Sequence, residues 1–180
     1  MVDTRSSSYG AVRFSFSDQD VQKAETEGFE RCRRAKSKKR VGRSGGPSGG
    51  EDMRMDILGS AGELAVAIFL GKTIGLFDDK VAVRGSPDIK PDIDVKTGAR
   101  HHYRLMVHLD DLPSKKFVLV TIEGIDAGKY DAIIHGWIGG SDAMVGKYKS
   151  EPVPGRAAFF VPQKDLRPVA ELLDCSMIDW

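Results

Sequence analysis

Apolar residues recur at three- and four-residue spacings through residues 56–70, where Ile57, Leu58, Ala61, Leu64, Ala65 and Ile68 make one stripe. That pattern predicts a helix, and Gly71 supplies its stop signal. An earlier helix is predicted from Phe16-Ser17-Asp18-Gln19-Asp20-Val21. Ser17 would be the N-cap, Asp20 the third helical residue, and Phe16 with Val21 a hydrophobic staple. It would run to about Arg40 on a thin stripe of Val21, Ala24, Phe29 and Cys32, which implies weak docking. Beyond residue 80 the period changes to that of strands, with segments at 81–84, 93–97, 103–109, 132–138 and 157–161. Residues 117–122 are almost continuously apolar, as in a buried central strand. A last helix is predicted at 165–173. Helix, several strands and helix in that order imply an α/β architecture, a mixed sheet flanked by helices.

Composition narrows the class. The chain has 180 residues, 41% hydrophobic and 29% charged, enough for one ordinary core. No apolar run reaches the length of a membrane span, and the opening MVDTRSSS has no apolar signal core, so a non-secreted, cytoplasmic protein without a membrane partner is expected. Two cysteines, Cys32 and Cys175, cannot make a disulfide framework. The net charge of +1 conceals an asymmetry: residues 1–50 carry 11 Lys/Arg against 6 Asp/Glu, and residues 51–180 carry 16 against 20. Residues 42–50, rich in Gly and Ser, read as a linker that separates a basic N-terminal arm (1–50) from the main domain (51–180). No Gly-Lys-Ser/Thr follows these glycines, which excludes a phosphate-binding loop. Arg31, Arg33, Arg34, Lys36, Lys38, Lys39, Arg40 and Arg43 make a run without acids. It suits contact with a phosphate backbone, or equally a solvated helix end whose cations complement the dipole.

Candidate chemistry concentrates at residues 85–98. On a strand over 93–97, Asp94 and Lys96 share one face while Ile93, Val95 and Thr97 take the other. If Lys90-Pro91-Asp92 is a three-residue hairpin loop, residue 89 opposes 93 and Asp88 opposes Asp94. Two carboxylates so placed repel, and a cation is needed between them. Lys96 supplies part of that charge, and Mg²⁺, a hard ion that takes oxygen ligands, supplies it better. Glu63 on the 56–70 helix is a third acid for the same place. Alternatively Ser60-Ala-Gly-Glu63 is a capping box and Glu63 bonds only its own helix start. The Asp-x-Lys pattern occurs three times, at Asp78, Asp88 and Asp94, and only the third lies in an alternating strand. His101, His102, His108 and His135 read as packed or half-exposed residues rather than ligands. Trp137, Phe159 and Phe160 read as core.

Gly62-Glu63 on a helix, then Pro87-Asp88, then Asp94-Val95-Lys96 resembles the PD-(D/E)xK nuclease superfamily over roughly residues 56–140. Ile134-His135-Gly136-Trp137 and the stretch from Phe159 to Pro168 also look like small phage- or prophage-type members. The resemblance implies a restriction-endonuclease-like αβββαβ core. It implies that Asp88 and Asp94 bind Mg²⁺, or Mn²⁺ in its place, with the Val95 carbonyl as a further ligand. Lys96 would orient or help deprotonate the attacking water, and Glu63 would hold a metal-bound water or a second ion. The substrate would be DNA, with RNA as the alternative, and the basic run would track its backbone. A homodimer or a larger phage–host assembly, in the host cytoplasm if viral, is compatible with such a member. The chain departs from the family in the short gap between Asp88 and Asp94. Asp78 or Asp79 could replace Asp88 as first acid, and Asp92 shares the Asp94 face. The rival expectation is the same fold kept as a nucleic-acid-binding or assembly module without cleavage.

Overall fold

The computed structural model describes residues 10–37, 50–72, 86–100 and 103–176. The predicted strand at 81–84, Asp78, Asp79, His101, His102 and most of the glycine-rich linker lie outside them. Ser17 starts helix α1 (Asp18–Ser37) as expected, its hydroxyl accepting the Asp20 N–H at 3.2 Å and donating to the Asp20 carboxylate at 2.6 Å. Helix α2 spans Gly50–Phe69 and so begins several residues before the apolar stripe does. It ends as predicted. Gly71 has φ +63°, its N–H reaches the Ile68 carbonyl, and the Lys72 N–H reaches that of Ala67.

Four strands form the main sheet in the order β1-β5-β4-β2: β1 (Val12–Ser15), β2 (Ile93–Gly98), β4 (Lys116–Glu123) and β5 (Asp131–Gly139). Strand β2 runs parallel to β4, while β4–β5 and β1–β5 are antiparallel, so the sheet is mixed. A second sheet holds β3 (Leu105–His108), β6 (Lys149–Ser150) and β7 (Ala158–Val161) in the order β3-β7-β6. Short helix α3 (Gly140–Ala143) follows β5, and α4 (Glu171–Ser176) closes the described chain, starting later than the predicted residue 165. Strand β1 falls in a segment without a readable pattern, and partnership with β5 is what orders it.

Strand β4 is the hub because both its faces are covered. Val118, Val120 and Ile122 pack under the helices with Leu58, Ala61, Leu64 and Ala65. Phe117 and Leu119 face the other way and pack with Leu105, Val107, Phe159 and Val161 of the small sheet. Two glycines set the helix positions. A Cβ on Gly28 would lie 2.5 Å from the Ile57 Cα, and one on Gly62 would lie 1.9 Å from Thr97 Oγ1. Helix α1 therefore crosses α2, and α2 crosses β2, closely enough to exclude any side chain there. This corrects the expectation of weak docking: Ala24, Glu27 and Cys32 are buried, whereas Phe29, counted in the stripe, faces solvent. Ile68 likewise turns outward, and Val66 and Ala67 are buried in its stead. Covered by α1 on one side and the sheet on the other, α2 is apolar nearly all round from Ser60 to Ala67, and its one acid there, Glu63, is buried.

Candidate active site

Among the described residues strand β2 has one neighbour in the main sheet, β4, and the candidate residues gather along its other side. Ile89 and Ile93 exchange both backbone hydrogen bonds, at 3.0 and 2.9 Å, so 90–92 closes the hairpin in the expected register. Asp88 is thereby set beside β2, where its Oδ2 accepts the Val95 N–H at 2.7 Å. A strand residue projects its N–H and C=O to the same edge, so the Val95 carbonyl faces the same side.

Asp94 and Lys96 share a face, as the alternation requires, and their charged groups are 3.0 Å apart. Parallel register sets them beside Phe117 and Leu119, and the Lys96 ammonium lies 5.2 Å from the centre of the Phe117 ring. A second acid, Asp111 from the β3–β4 connection, also takes Lys96 at 3.0 Å and accepts the His108 N–H. Burial works against the Lys96 charge, but Asp94 and then Asp111 outweigh it and raise its pKa above the ordinary lysine value. This amine is a fixed cation, suited to holding an anion or orienting water rather than taking a proton.

Lys115, which the motif pattern did not mark, is the most buried amine of the site. It donates to Asp94 Oδ1 at 2.7 Å and to the Ser86 carbonyl at 3.2 Å. It thus ties β2 to the segment that carries Asp88. Next to it, the Lys116 N–H donates to the Asp92 carbonyl, and the side chains of Lys116 and Asp92 pair at 3.1 Å. Asp92 is therefore turned to β4 rather than competing at Asp94.

Glu63 is not a capping residue. The helix begins at Gly50, and the Ser60 hydroxyl donates to the Asp56 carbonyl inside it. Both Glu63 oxygens accept from the Arg31 guanidinium, at 2.6 and 2.5 Å. Arg31 also donates to Glu27, and Arg34 reaches the same Glu27 oxygen at 3.2 Å. Arg33 pairs with Glu30 at 2.7 Å while staying largely exposed. The described part of the basic run is thus laced to acids of its own surroundings, with Arg31 turned inward. Nothing is described of the Lys36 side chain, and Lys38, Lys39, Arg40 and Arg43 lie outside the described residues.

Asp88 couples these parts. The residue is exposed, but its carboxyl stands over densely packed protein. That loss of water, then the negative charges of Glu63 and Asp94, push its pKa up to about 7 against the relief from the Val95 N–H and Arg31. Even with Arg31, Lys96 and Lys115 in place, the field at Asp88 is under-neutralised. The folded state therefore holds a proton there that the unfolded chain releases near pH 4. Stability should accordingly fall as pH rises from about 4 to about 7. The check is the denaturation midpoint of the protein minus that of Asp88→Asn across this range: a difference that shrinks with pH is expected, and a flat or rising one would contradict the coupling.

The donor chemistry fits a divalent cation: hard carboxylate oxygens, a negative field at Asp88 and a carbonyl on the same edge. No group of three or more His, Cys, Asp or Glu residues among the described residues is preformed to hold one, so such an ion would draw an acid away from an internal partner. His108 is exposed on β3, and His135 shares a 2.8 Å hydrogen bond with Thr121, so neither joins the acids. No helix of the described residues is long and apolar enough to cross a membrane. A cavity of about 350 Å³ lies elsewhere, between Asp142, Tyr148, Asp165 and Arg167. No family model matches this chain, and neither the curated proteins nor the solved structures contain a match.

Proposed function

We propose that the protein is a divalent-cation-dependent nuclease that hydrolyses phosphodiester bonds of DNA. The supporting observation is that the 90–92 hairpin sets Asp88 against β2, its carboxylate 2.7 Å from the Val95 N–H and within the negative field of Glu63 and Asp94, while the Lys96 ammonium stands 3.0 Å from Asp94. Bound Mg²⁺ or Mn²⁺ would lower the pKa of a water and offset charge on the reacting phosphate. Asp88 and Asp94 are the residues to hold it, with the Val95 carbonyl. Lys96, steadied by Asp94, Asp111 and the Phe117 ring, orients the attacking water and faces the developing negative charge. Lys115 keeps one Asp94 oxygen occupied and so fixes where the other points. Glu63 assists from α2. The likeness of Pro87-Asp88, Asp94-Val95-Lys96 and Gly62-Glu63 to the PD-(D/E)xK pattern supports the same reading, under which the mixed sheet and its helices would be a restriction-endonuclease-like core.

A second reading is a nuclease-fold module that binds nucleic acid or assembles without cutting. It is favoured by the internal pairing of Glu63 with Arg31 and of Asp94 with two lysines. Plasmid, linear double-stranded and single-stranded DNA, and RNA, incubated with Mg²⁺ or Mn²⁺, separate the two. Cleavage of DNA by the protein and none by Asp88→Asn is expected of the nuclease. Retention of DNA with no product under any of these conditions would leave the binding module.

A further inference from the structure

Glu63 is subject to two competing demands. Both its oxygens lie in the fork of Arg31, and a carboxylate so held has little to offer a cation. The guanidinium is itself fixed from behind. Its Nε donates to Glu27 Oε1 at 3.0 Å, and Glu27 is only 5% exposed. The other Glu27 oxygen is buried without a hydrogen-bond partner among the described residues, a costly arrangement to keep. What Glu27 achieves there is a guanidinium plane clamped between α1 and α2, whose close approach at Gly28 brings the two acids within reach of one arginine. The Arg31 side chain is nevertheless 33% exposed, so it is not sealed from solvent although Nε, Nη1 and Nη2 all donate to Glu27 and Glu63.

Building on the nuclease reading, we infer that Arg31 takes the place of a second divalent ion: the site binds one cation on the Asp88–Asp94 side, and the clamped guanidinium supplies fixed positive charge on the Glu63 side. A planar, permanently charged fork suits phosphate oxygens, and its fixed position avoids reorganisation when a substrate arrives. Glu63 then acts as a positioning residue for Arg31 and not as a ligand.

Mn²⁺ titration of the full chain, with the free ion counted by electron paramagnetic resonance, tests this without any substrate. One ion per chain is expected. Arg31→Gln releases Glu63 and should admit a second ion, while Glu63→Gln, which removes a neighbouring charge but no ligand, should cost the first ion less than about tenfold in affinity. Two ions on the unaltered protein would overturn the inference, as would a folded Arg31→Gln that still takes one. So would an affinity loss of about tenfold or more in Glu63→Gln, since that marks Glu63 as a ligand. The Glu63→Gln arm decides the matter if Arg31→Gln does not fold. No Mn²⁺ bound by the unaltered protein would sink the nuclease reading and this inference together. One ion bound and DNA cut, with a Glu63→Gln defect in ion affinity, would sink this inference alone.

Discussion

Asp94→Ala is expected to destabilise the protein by about 3–5 kcal/mol, the range for breaking a buried ion pair from one side. Lys115 is 6% exposed and is held by Asp94 Oδ1 at 2.7 Å, so the alanine leaves a buried ammonium whose one remaining partner among the described residues is the Ser86 carbonyl. Lys96 retains Asp111 and suffers less. Chemical denaturation at pH 7 measures the loss. The double variant Asp94→Ala/Lys115→Met should be more stable than Asp94→Ala, because it removes the stranded charge along with its partner. A single-variant loss below about 1 kcal/mol, the size of an exposed pair, would show that Asp94 and Lys115 are not coupled as described.

A second large effect, this time on the rate of cleavage, is expected at Lys96. Its ammonium is held between Asp94 and Asp111, 3.0 Å from each, and its raised pKa keeps it charged. Replacement by alanine removes a pre-placed positive group where negative charge develops, and should slow DNA cleavage about 10²–10³-fold. Ion binding should be preserved or tighter, since a cation that competes for Asp94 is gone. Single-turnover cleavage at saturating Mg²⁺ separates the two effects. A rate within about threefold of the unaltered protein would remove Lys96 from the chemistry.

Much of this architecture is written in local patterns. The Ser17 cap, the Gly71 stop, the 90–92 hairpin and the alternation of 93–97 depend on residues a few positions apart, and each is where the pattern puts it. The α/β class with a mixed sheet also follows from element order. The features that escaped are set by distant partners. Lys115 looks like any lysine before a strand until the β2–β4 register brings it to Asp94. Arg31 belongs to a basic run whose composition suggests an outward face, but the Gly28–Ile57 crossing turns it onto Glu63. The docking of α1 was underestimated because close packing there depends on small residues, Ala24 and Gly28, which add little to an apolar stripe. Ser60 and Glu63 have the spacing of a capping box, and only the earlier start of α2 shows that it is not one.

On the nuclease reading, Asp88, in the negative field of Glu63 and Asp94, is where this protein gathers a hard cation beside an ammonium group. A crystal grown with Mn²⁺ and phased on the anomalous signal of that ion tests it most directly. One strong peak is expected about 2.0–2.4 Å from carboxylate oxygens of both Asp88 and Asp94, with Lys96 alongside. A crystal in which Mn²⁺ binds elsewhere, or in which Asp94 keeps both lysines and Asp88 faces only water, would contradict it.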